Sequence, residues 1–137
     1  MTEENPHLAR CLEIFSRVTM MTHLGIEFAA MEEDRAELRL VPDERHRNYL
    51  GALHGGAIAA ALDTVAFLPG ALLPSGRRLA TEGVEIHFFK PSPLGEPVTF
   101  TAKILRNGRR VVTVECEALN AKGKLAHAVV TLIDLDS

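Results

Sequence analysis

Apolar and polar residues alternate through the C-terminal half of the chain, as expected for β-strands with one buried face. Four segments rich in Val, Ile, Thr and Phe are predicted as strands there, at residues 79–90, 97–106, 109–120 and 124–135. Asn107-Gly108 and Lys122-Gly123 are tight-turn signals between the later strands. Since no helical segment separates these strands, the pattern favours an antiparallel sheet over parallel βαβ units.

The N-terminal half predicts one helix and two strands. Apolar residues recur at helical spacing through residues 6–18, and the proline at the start of this segment suits a first helical turn. Residues 24–30 and 35–41 have the composition of strands and flank the acidic turn 32–34. A polar loop rich in Arg and His follows at residues 43–53.

A single apolar helix is predicted between these two halves. Residues 55–68 are apolar on nearly every face, so the helix is expected to be buried, and Pro69-Gly70 ends it. Residues 69–78 are expected to form a loop. Together the elements predict an α+β protein, in which one long curved antiparallel sheet wraps around the central helix. The chain is interpreted as a single domain of residues 1–137, with a helical N-terminal extension over residues 1–20.

Composition and charge are those of an ordinary globular protein. Of the 137 residues, 47% are hydrophobic and 24% are charged, and the net charge is −3. No run of Lys or Arg indicates a nucleic-acid or membrane partner. The polar start argues against a signal peptide, and Asp63 within the apolar helix argues against a membrane span. Cys11 and Cys116 are expected to be reduced thiols of a cytoplasmic protein, with a disulfide as the alternative.

The most specific pattern in the chain joins the polar loop to the apolar helix. It reads Asn-x-x-Gly-x-x-His-Gly-Gly over residues 48–56 and is followed by Asp63. Paired glycines at a helix start leave backbone N–H groups accessible to a ligand. A lone carboxylate in an apolar helix is costly unless it has a partner or a function. One element therefore offers an acid, Asp63, and a polarising N-terminus at Gly55. The histidines form no His-x-x-x-His pattern, and neither a metal nor another cofactor is expected.

The spacing of Gly55 and Asp63 has a consequence for assembly. The two residues lie about 12 Å apart along one helix, at about 1.5 Å per residue. A reacting carbonyl carbon must lie within about 3 Å of both the polarising N–H and the attacking group. One helix cannot supply both groups to the same carbon, whereas a second, antiparallel copy can. The motif therefore predicts a homodimer with two shared sites.

The motif resembles that of the hot-dog fold thioesterases, most closely the branch of the phenylacetic-acid-pathway thioesterases. The similarity covers the chain from about residue 20 to its end. The residues that carry it are Asn48, Gly51, His54, Gly55, Gly56, Asp63, Thr81 and the run Phe88-Phe89-Lys90-Pro91.

This resemblance implies hydrolysis of acyl-CoA thioesters. It implies that Asp63 acts as nucleophile or general base, that the Gly55 N–H polarises the thioester carbonyl, and that Thr81 holds the attacking water. Asn48 and His54 are expected to orient the site. The resemblance also implies homodimers whose sheets join edge to edge, often paired again into tetramers. Further substrate contacts are expected at Gly56, Phe67, Phe88, Phe89 and Lys90.

Each of these residues also has a structural interpretation. Asp63 can hydrogen-bond within a core or dimer seam, and His54 can fix the loop rather than touch substrate. Thr81 can be an ordinary strand residue, and His87, on the same strand face by period-two counting, a core or interface residue. Arg106, Arg109 and Arg110 are expected at a solvated hairpin tip, or alternatively against the phosphates of CoA.

The alternative function is a non-catalytic acyl-CoA binding or sensing module on the same fold. A sensor that regulates transcription needs a DNA-binding segment, and the residues before the first predicted strand are too few for a helix-turn-helix domain.

Overall fold

The computed structural model describes residues 5–73 and 77–137, which form helices and one sheet. The helices are α1 (Leu8–Arg17), α2 (Thr19–Leu24) and α3 (Gly55–Val65). The strands are β1 (Glu27–Met31), β2 (Arg35–Leu40), β3 (Leu79–Phe88), β4 (Val98–Asn107), β5 (Val111–Asn120) and β6 (Gly123–Asp134). Short 3-10 turns lie at Glu44–His46 and Gly70–Leu72.

The six strands form one antiparallel sheet in the order β1-β2-β4-β5-β6-β3. Strands β1 and β3 are therefore its two edges. Helix α3 packs against the inner face of the sheet and touches five of its strands. The α+β hot-dog architecture expected from the sequence is confirmed. The C-terminal strands also lie where the alternation of apolar and polar residues predicts them.

The core lies between α3 and the inner face of the sheet. Strand β5 shows the pattern plainly, since alternate side chains are buried and the intervening ones are partly exposed. The buried residues of β5 are Val112, Val114, Cys116 and Ala118, and those of α3 are Ala57, Ile58, Ala61, Leu62 and Val65. Removing one large apolar side chain from such a core costs typically ~2–5 kcal/mol.

The N-terminal region differs from the single helix predicted over residues 6–18. Helix α1 is followed at once by α2, whose buried Met21 anchors it to the core. Gly25 ends α2 in the left-handed conformation, with φ of 66°. The first strand consequently begins at Glu27, not at residue 24 as predicted.

The central helix is shorter than predicted. It ends at Val65, and the apolar residues that follow it form irregular backbone and the 3-10 turn Gly70–Leu72. Residues 74–76 of the predicted loop 69–78 lie outside the described residues, as do the first four residues of the predicted extension.

A β-bulge in β3 changes which side chains share a face. Thr81 pairs with Leu132 and Gly83 with Thr131, so Glu82 is an extra residue in the ladder. Thr81 therefore faces inward with the buried Leu132. His87 pairs with the partly exposed His127, on the outer face. The prediction that His87 and Thr81 share a face is wrong because period-two counting fails across the bulge.

No helix within the described residues is long and apolar enough to cross a membrane. Both cysteines are buried free thiols. Burial raises the pKa of the Cys11 thiol to about 11, so at neutral pH this thiol is uncharged.

Candidate active site

The N-terminus of α3 is capped by the side chain of His54. Its Nδ1 atom accepts a hydrogen bond of 2.7 Å from the Gly56 N–H. The ring proton must then lie on Nε2, and the ring is neutral in this arrangement. His54 thus fixes the loop-to-helix junction, one of the two roles the sequence left open. The cap also engages the Gly56 N–H, a predicted substrate contact.

Glycine is favoured at the two positions of the motif for different steric reasons. A Cβ at Gly56 would lie 2.9 Å from the His54 Nδ1 atom, so any side chain there would displace the cap. A Cβ at Gly55 would lie 3.3 Å from the Phe88 ring. Glycine at both positions therefore allows His54 to fold over the helix end and Phe88 to lie against it.

The Gly55 N–H is the open donor at this helix end. It has no hydrogen-bond acceptor within residues 5–73 and 77–137. Gly55 lines a cleft of about 380 Å³. The residues lining this cleft are Asn48, Leu53, Gly55, Ile58, Phe88, Phe89, Lys90, Pro91 and Ser92. A free N–H at a helix N-terminus can stabilise negative charge on a carbonyl oxygen.

Asn48 uses one end of its amide to shape the loop before α3. Its Oδ1 atom accepts hydrogen bonds of 2.9 Å from the N–H groups of Leu50 and Ala52. Its amide nitrogen donates to no acceptor in the described part of the chain. Asn48 therefore brings a second potential donor to the wall of the Gly55 cleft.

His46 holds the same loop from the inside, and sequence reasoning did not single it out. The side chain is buried, its Nδ1 accepts from the Asp43 N–H, and its Nε2 bonds the carbonyl of Leu24 at the end of α2. Its own carbonyl accepts from the His54 N–H. The sequence signal from which this role of His46 could have been predicted is the Asp-x-x-His spacing of residues 43–46, which forms a capping box.

Asp63 and Thr81 meet at the other end of α3. The Thr81 hydroxyl donates a 2.6 Å hydrogen bond to Asp63 Oδ1. Asp63 is partly exposed, not buried as the apolar helix pattern suggested, because α3 buries only the side that faces the sheet. This bond leaves Asp63 Oδ2 and the lone pairs of the hydroxyl available to a water or substrate.

Asp63 opens into a second cleft, of about 300 Å³. The residues lining it are Ile14, Val18, Asp63, Thr64, Phe67, Leu68 and Thr81. Phe67 is the predicted substrate contact at this end. Ile14 of α1 and Val18, which follows α1 directly, were not predicted as site residues.

The predicted site residues therefore fall into two groups within one chain. Asn48, Gly55, Phe88, Phe89 and Lys90 line the first cleft, whereas Asp63, Thr81 and Phe67 line the second. Lys90 in addition donates from Nζ to the Lys122 carbonyl at 2.8 Å. As expected from the sequence, Gly55 and Asp63 lie apart along α3, each in its own cleft. No cluster of three potential metal ligands occurs among the described residues.

The hairpin between β4 and β5 carries the three arginines noted in the sequence. Arg77 fixes this hairpin through an ion pair with Asp134 and hydrogen bonds to Asn107 Oδ1 and the Gly108 carbonyl. Arg106, Arg109 and Arg110 flank a surface depression, and none has a carboxylate partner in residues 5–73 and 77–137. The hairpin tip is therefore basic, and Arg77 holds its backbone.

Comparison with known proteins agrees with this geometry. Residues 50–127 match the family model of the thioesterase superfamily. A protein of Saccharolobus solfataricus, provisionally named an esterase, is 32% identical over 114 residues, which cover 82% of this chain and 81% of that protein. Mouse acyl-coenzyme A thioesterase 13 is 27% identical over 82% of this chain and 75% of its own length. The crystal structure of a Haemophilus influenzae thioesterase superposes with a TM-score of 0.81 at 26% identity, covering 92% of this chain and 90% of that one.

Proposed function

Since the chain belongs to the thioesterase superfamily and is a thioester hydrolase, we propose that the thioesters it hydrolyses are acyl-CoAs and that the products are a free acid and coenzyme A. One observation carries the proposal. The Thr81 hydroxyl binds one oxygen of Asp63 and leaves the other oxygen available, and Asp63 lines a largely apolar cleft. A carboxylate held in this way can act on a water or on a carbonyl carbon.

Two routes use Asp63. As a general base, its free oxygen removes a proton from water while the water oxygen attacks the thioester carbonyl carbon. As a nucleophile, the same oxygen attacks the carbon, and water then cleaves the resulting anhydride. In the first route the carbon–sulfur bond breaks and Asp63 gives the proton that it took from water to the CoA sulfur. In the second route CoA leaves as a thiolate, and the water that later hydrolyses the anhydride supplies its proton and regenerates the Asp63 carboxylate. Thr81 orients Asp63 through Oδ1 and can accept a hydrogen bond from the water.

The Gly55 N–H is proposed as the group that polarises the thioester carbonyl. Negative charge develops on the carbonyl oxygen in the tetrahedral transition state, and a donor already directed at that position lowers the barrier. Loss of one such donor typically lowers the rate ~10²–10³-fold. Asn48 is proposed to orient the substrate through its free amide nitrogen on the same cleft wall.

The two groups are proposed to meet across a homodimer. Strand β3 runs antiparallel to α3, with Thr81 beside Asp63 and Phe88 beside Gly55. If β3 pairs with its own copy about a two-fold axis between Val84 and Glu85, the Phe88 end of one copy lies against the Thr81 end of the other. Gly55 of one chain then approaches Asp63 of the second chain.

The surface of the single chain supports this pairing. β3 is a long edge strand whose outer ladder positions have no partner within the described residues, and exposed edges of this kind favour association. Phe88 and Phe89 beside it are 52% and 57% exposed. The partly exposed side of α3 carries small residues at Gly56, Ala59 and Ala60, which permit close approach of a second helix.

Release of free thiol from a panel of acyl-CoAs, followed with a thiol reagent, tests the proposed function. Turnover is expected for the wild-type protein, and its absence across the panel would contradict the proposal. Saturable binding of acyl-CoA without turnover would instead support the non-catalytic binding or sensing module.

A further inference from the structure

The cleft beside Asp63 has one wall that the catalytic motif does not provide. Ile14 and Val18 come from the N-terminal helical region, whereas Asp63, Phe67 and Thr81 come from α3, its extension and β3. Residues 14 and 18 also lie outside the span 50–127 that matches the thioesterase family model. The wall thus lies outside the segment that carries the family motif.

Helix α1 is held firmly enough to serve as such a wall. Cys11 is fully buried, and its thiol donates to the Leu68 carbonyl at 3.6 Å. The rings of Phe15 and Phe28 pack edge to face with centroids 6.1 Å apart. Ile14 of α1 and Val18, its C-cap residue, both line the cleft.

We propose that Ile14 and Val18 of the N-terminal extension, with Phe67 opposite, set the size of the acyl group that the protein accepts. This inference rests on the proposed function, because it takes the cleft beside Asp63 as the acyl pocket of that same site. The two residues are specificity-determining contacts and take no part in the chemistry.

The chemistry of the lining defines the class of acyl group. Asp63 is the only ionisable residue among the seven that line the cleft, and four of the others are aliphatic or aromatic. An acyl group with a terminal carboxylate would meet Asp63 with no cation to compensate, at a cost set by like-charge repulsion and desolvation. The cleft therefore takes an uncharged, apolar acyl or aryl group.

The volume of the cleft places a limit on that group. An apolar cavity of about 150 Å³ holds one benzene molecule, and this cleft has about 300 Å³. A medium-length acyl chain or a single substituted aromatic ring fits this space, whereas a long chain would have to extend beyond the cleft or displace the α1 wall. We expect turnover to be most efficient with medium-chain or aryl acyl groups.

The test measures kcat/KM of the full-length protein for butyryl-, hexanoyl-, octanoyl-, dodecanoyl- and succinyl-CoA. The variants Ile14→Ala and Val18→Ala enlarge the cleft, and Ile14→Phe fills it. Since one methylene in an apolar pocket changes discrimination about 10-fold or more, each Ala variant is expected to raise the dodecanoyl-to-hexanoyl ratio of kcat/KM at least ~10-fold. Ile14→Phe is expected to lower it by a similar factor, and succinyl-CoA should be the poorest substrate throughout.

Leu12→Ala is the matched control, because Leu12 lies on α1, is 43% exposed and does not line the cleft. It should leave the ratio unchanged. Equal ratios in wild type, both Ala variants and Ile14→Phe would overturn the inference. So would succinyl-CoA as the best substrate.

Failure of the proposed function remains distinguishable from failure of this inference. If the wild type turns over no acyl-CoA, the same series is measured as non-hydrolysable acyl-CoA thioethers by calorimetry. A shift of the preferred chain length in Val18→Ala, with melting temperature near that of wild type, would still support the α1 wall. An unchanged preference would overturn it.

Discussion

At the scale of single residues, the surroundings of Asp63 decide what this carboxylate can do. One oxygen accepts from Thr81, the residue lines an apolar cleft, and its side chain is only partly exposed. A structural carboxylate in a core would have its oxygens satisfied by neighbouring donors. The free oxygen therefore supports the proposed catalytic role, which substitution of Asp63 tests.

Replacement of Asp63 by Asn should lower kcat at least ~10²-fold, as expected for loss of a general base. Asn has the same size and can still accept from Thr81, so the melting temperature should stay close to that of wild type. Steady-state acyl-CoA hydrolysis and thermal unfolding measure the two effects. Turnover near the wild-type level in a folded Asp63→Asn protein would exclude the proposed role.

Thr81 offers a graded test of the same contact. Thr81→Ser keeps the hydroxyl and should retain most activity. Thr81→Val keeps the shape of the side chain and removes the hydroxyl that donates to Asp63. Because a hydrogen bond to a charged group contributes about 1.5–3 kcal/mol, kcat should fall about 10- to 10²-fold. If Ser and Val variants were equally active, the hydroxyl would not orient Asp63.

At the scale of elements, the start of α3 combines stability with function. His54 is the N-cap and engages the Gly56 N–H, which leaves the Gly55 N–H as the accessible donor. The loop before it is held by His46 and by the Asn48 side chain. The position of the open donor thus depends on hydrogen bonds that never touch a substrate.

Two substitutions of His54 separate its capping role from contact with substrate. His54→Ala removes the cap and should lower the free energy of unfolding by about 1 kcal/mol. His54→Asn supplies another good capping side chain and should restore that loss in denaturant unfolding. If Asn restores stability and activity together, capping is the whole role of His54. A stable but inactive Asn variant would show that the ring also contacts substrate.

The elements that the sequence predicted well are those with a long, uniform pattern. Strands β4, β5 and β6 alternate over ten or more residues, and two Gly-containing turns separate them, so their positions follow from local preference. The site motif was equally readable, because Asn48, Gly55 and Asp63 lie close in sequence on one loop and one helix.

The features that were missed depend on tertiary contacts. The bulge at Glu82 inserts one residue into β3 and moves His87 to the other face, and only the pairing with β6 reveals it. Helix α2 is six residues long and is stabilised mainly by the burial of Met21. The buried position of His46 depends on α2, which contributes the carbonyl of Leu24.

At the scale of the whole molecule, one chain carries two separate clefts, which the proposed mechanism treats as half-sites. The cleft with the Gly55 donor and the cleft with Asp63 lie at opposite ends of α3, about 12 Å apart at about 1.5 Å per residue. An exposed edge strand and a helix face of small residues lie between them. Under the proposed mechanism, such a chain needs a second copy to complete a site.

Light scattering should therefore give a mass of at least twice the 15.0 kDa of one chain. The assembly should persist at concentrations where acyl-CoA hydrolysis is measured, because only the dimer has complete sites. An active protein with the mass of a single chain would contradict the shared site.

The variants for a complementation experiment follow from the geometry at Gly55. Gly55→Pro removes the N–H at the first helical position, where proline is well tolerated, and His54 already has the extended backbone that a residue before proline requires. Gly55→Ala is the matched control, since it places a Cβ against the Phe88 ring but keeps the N–H. The Ala variant should keep substantially more activity than the Pro variant.

The most direct test of the shared site is to combine Asp63→Asn and Gly55→Pro chains in one heterodimer, isolated through two different affinity tags. Each homodimer has two defective sites. The heterodimer has one site with both defects and one site with neither, so we predict recovery of up to half of the wild-type activity. A folded heterodimer as inactive as its two parents would contradict catalysis by Asp63 of one chain and Gly55 of the other.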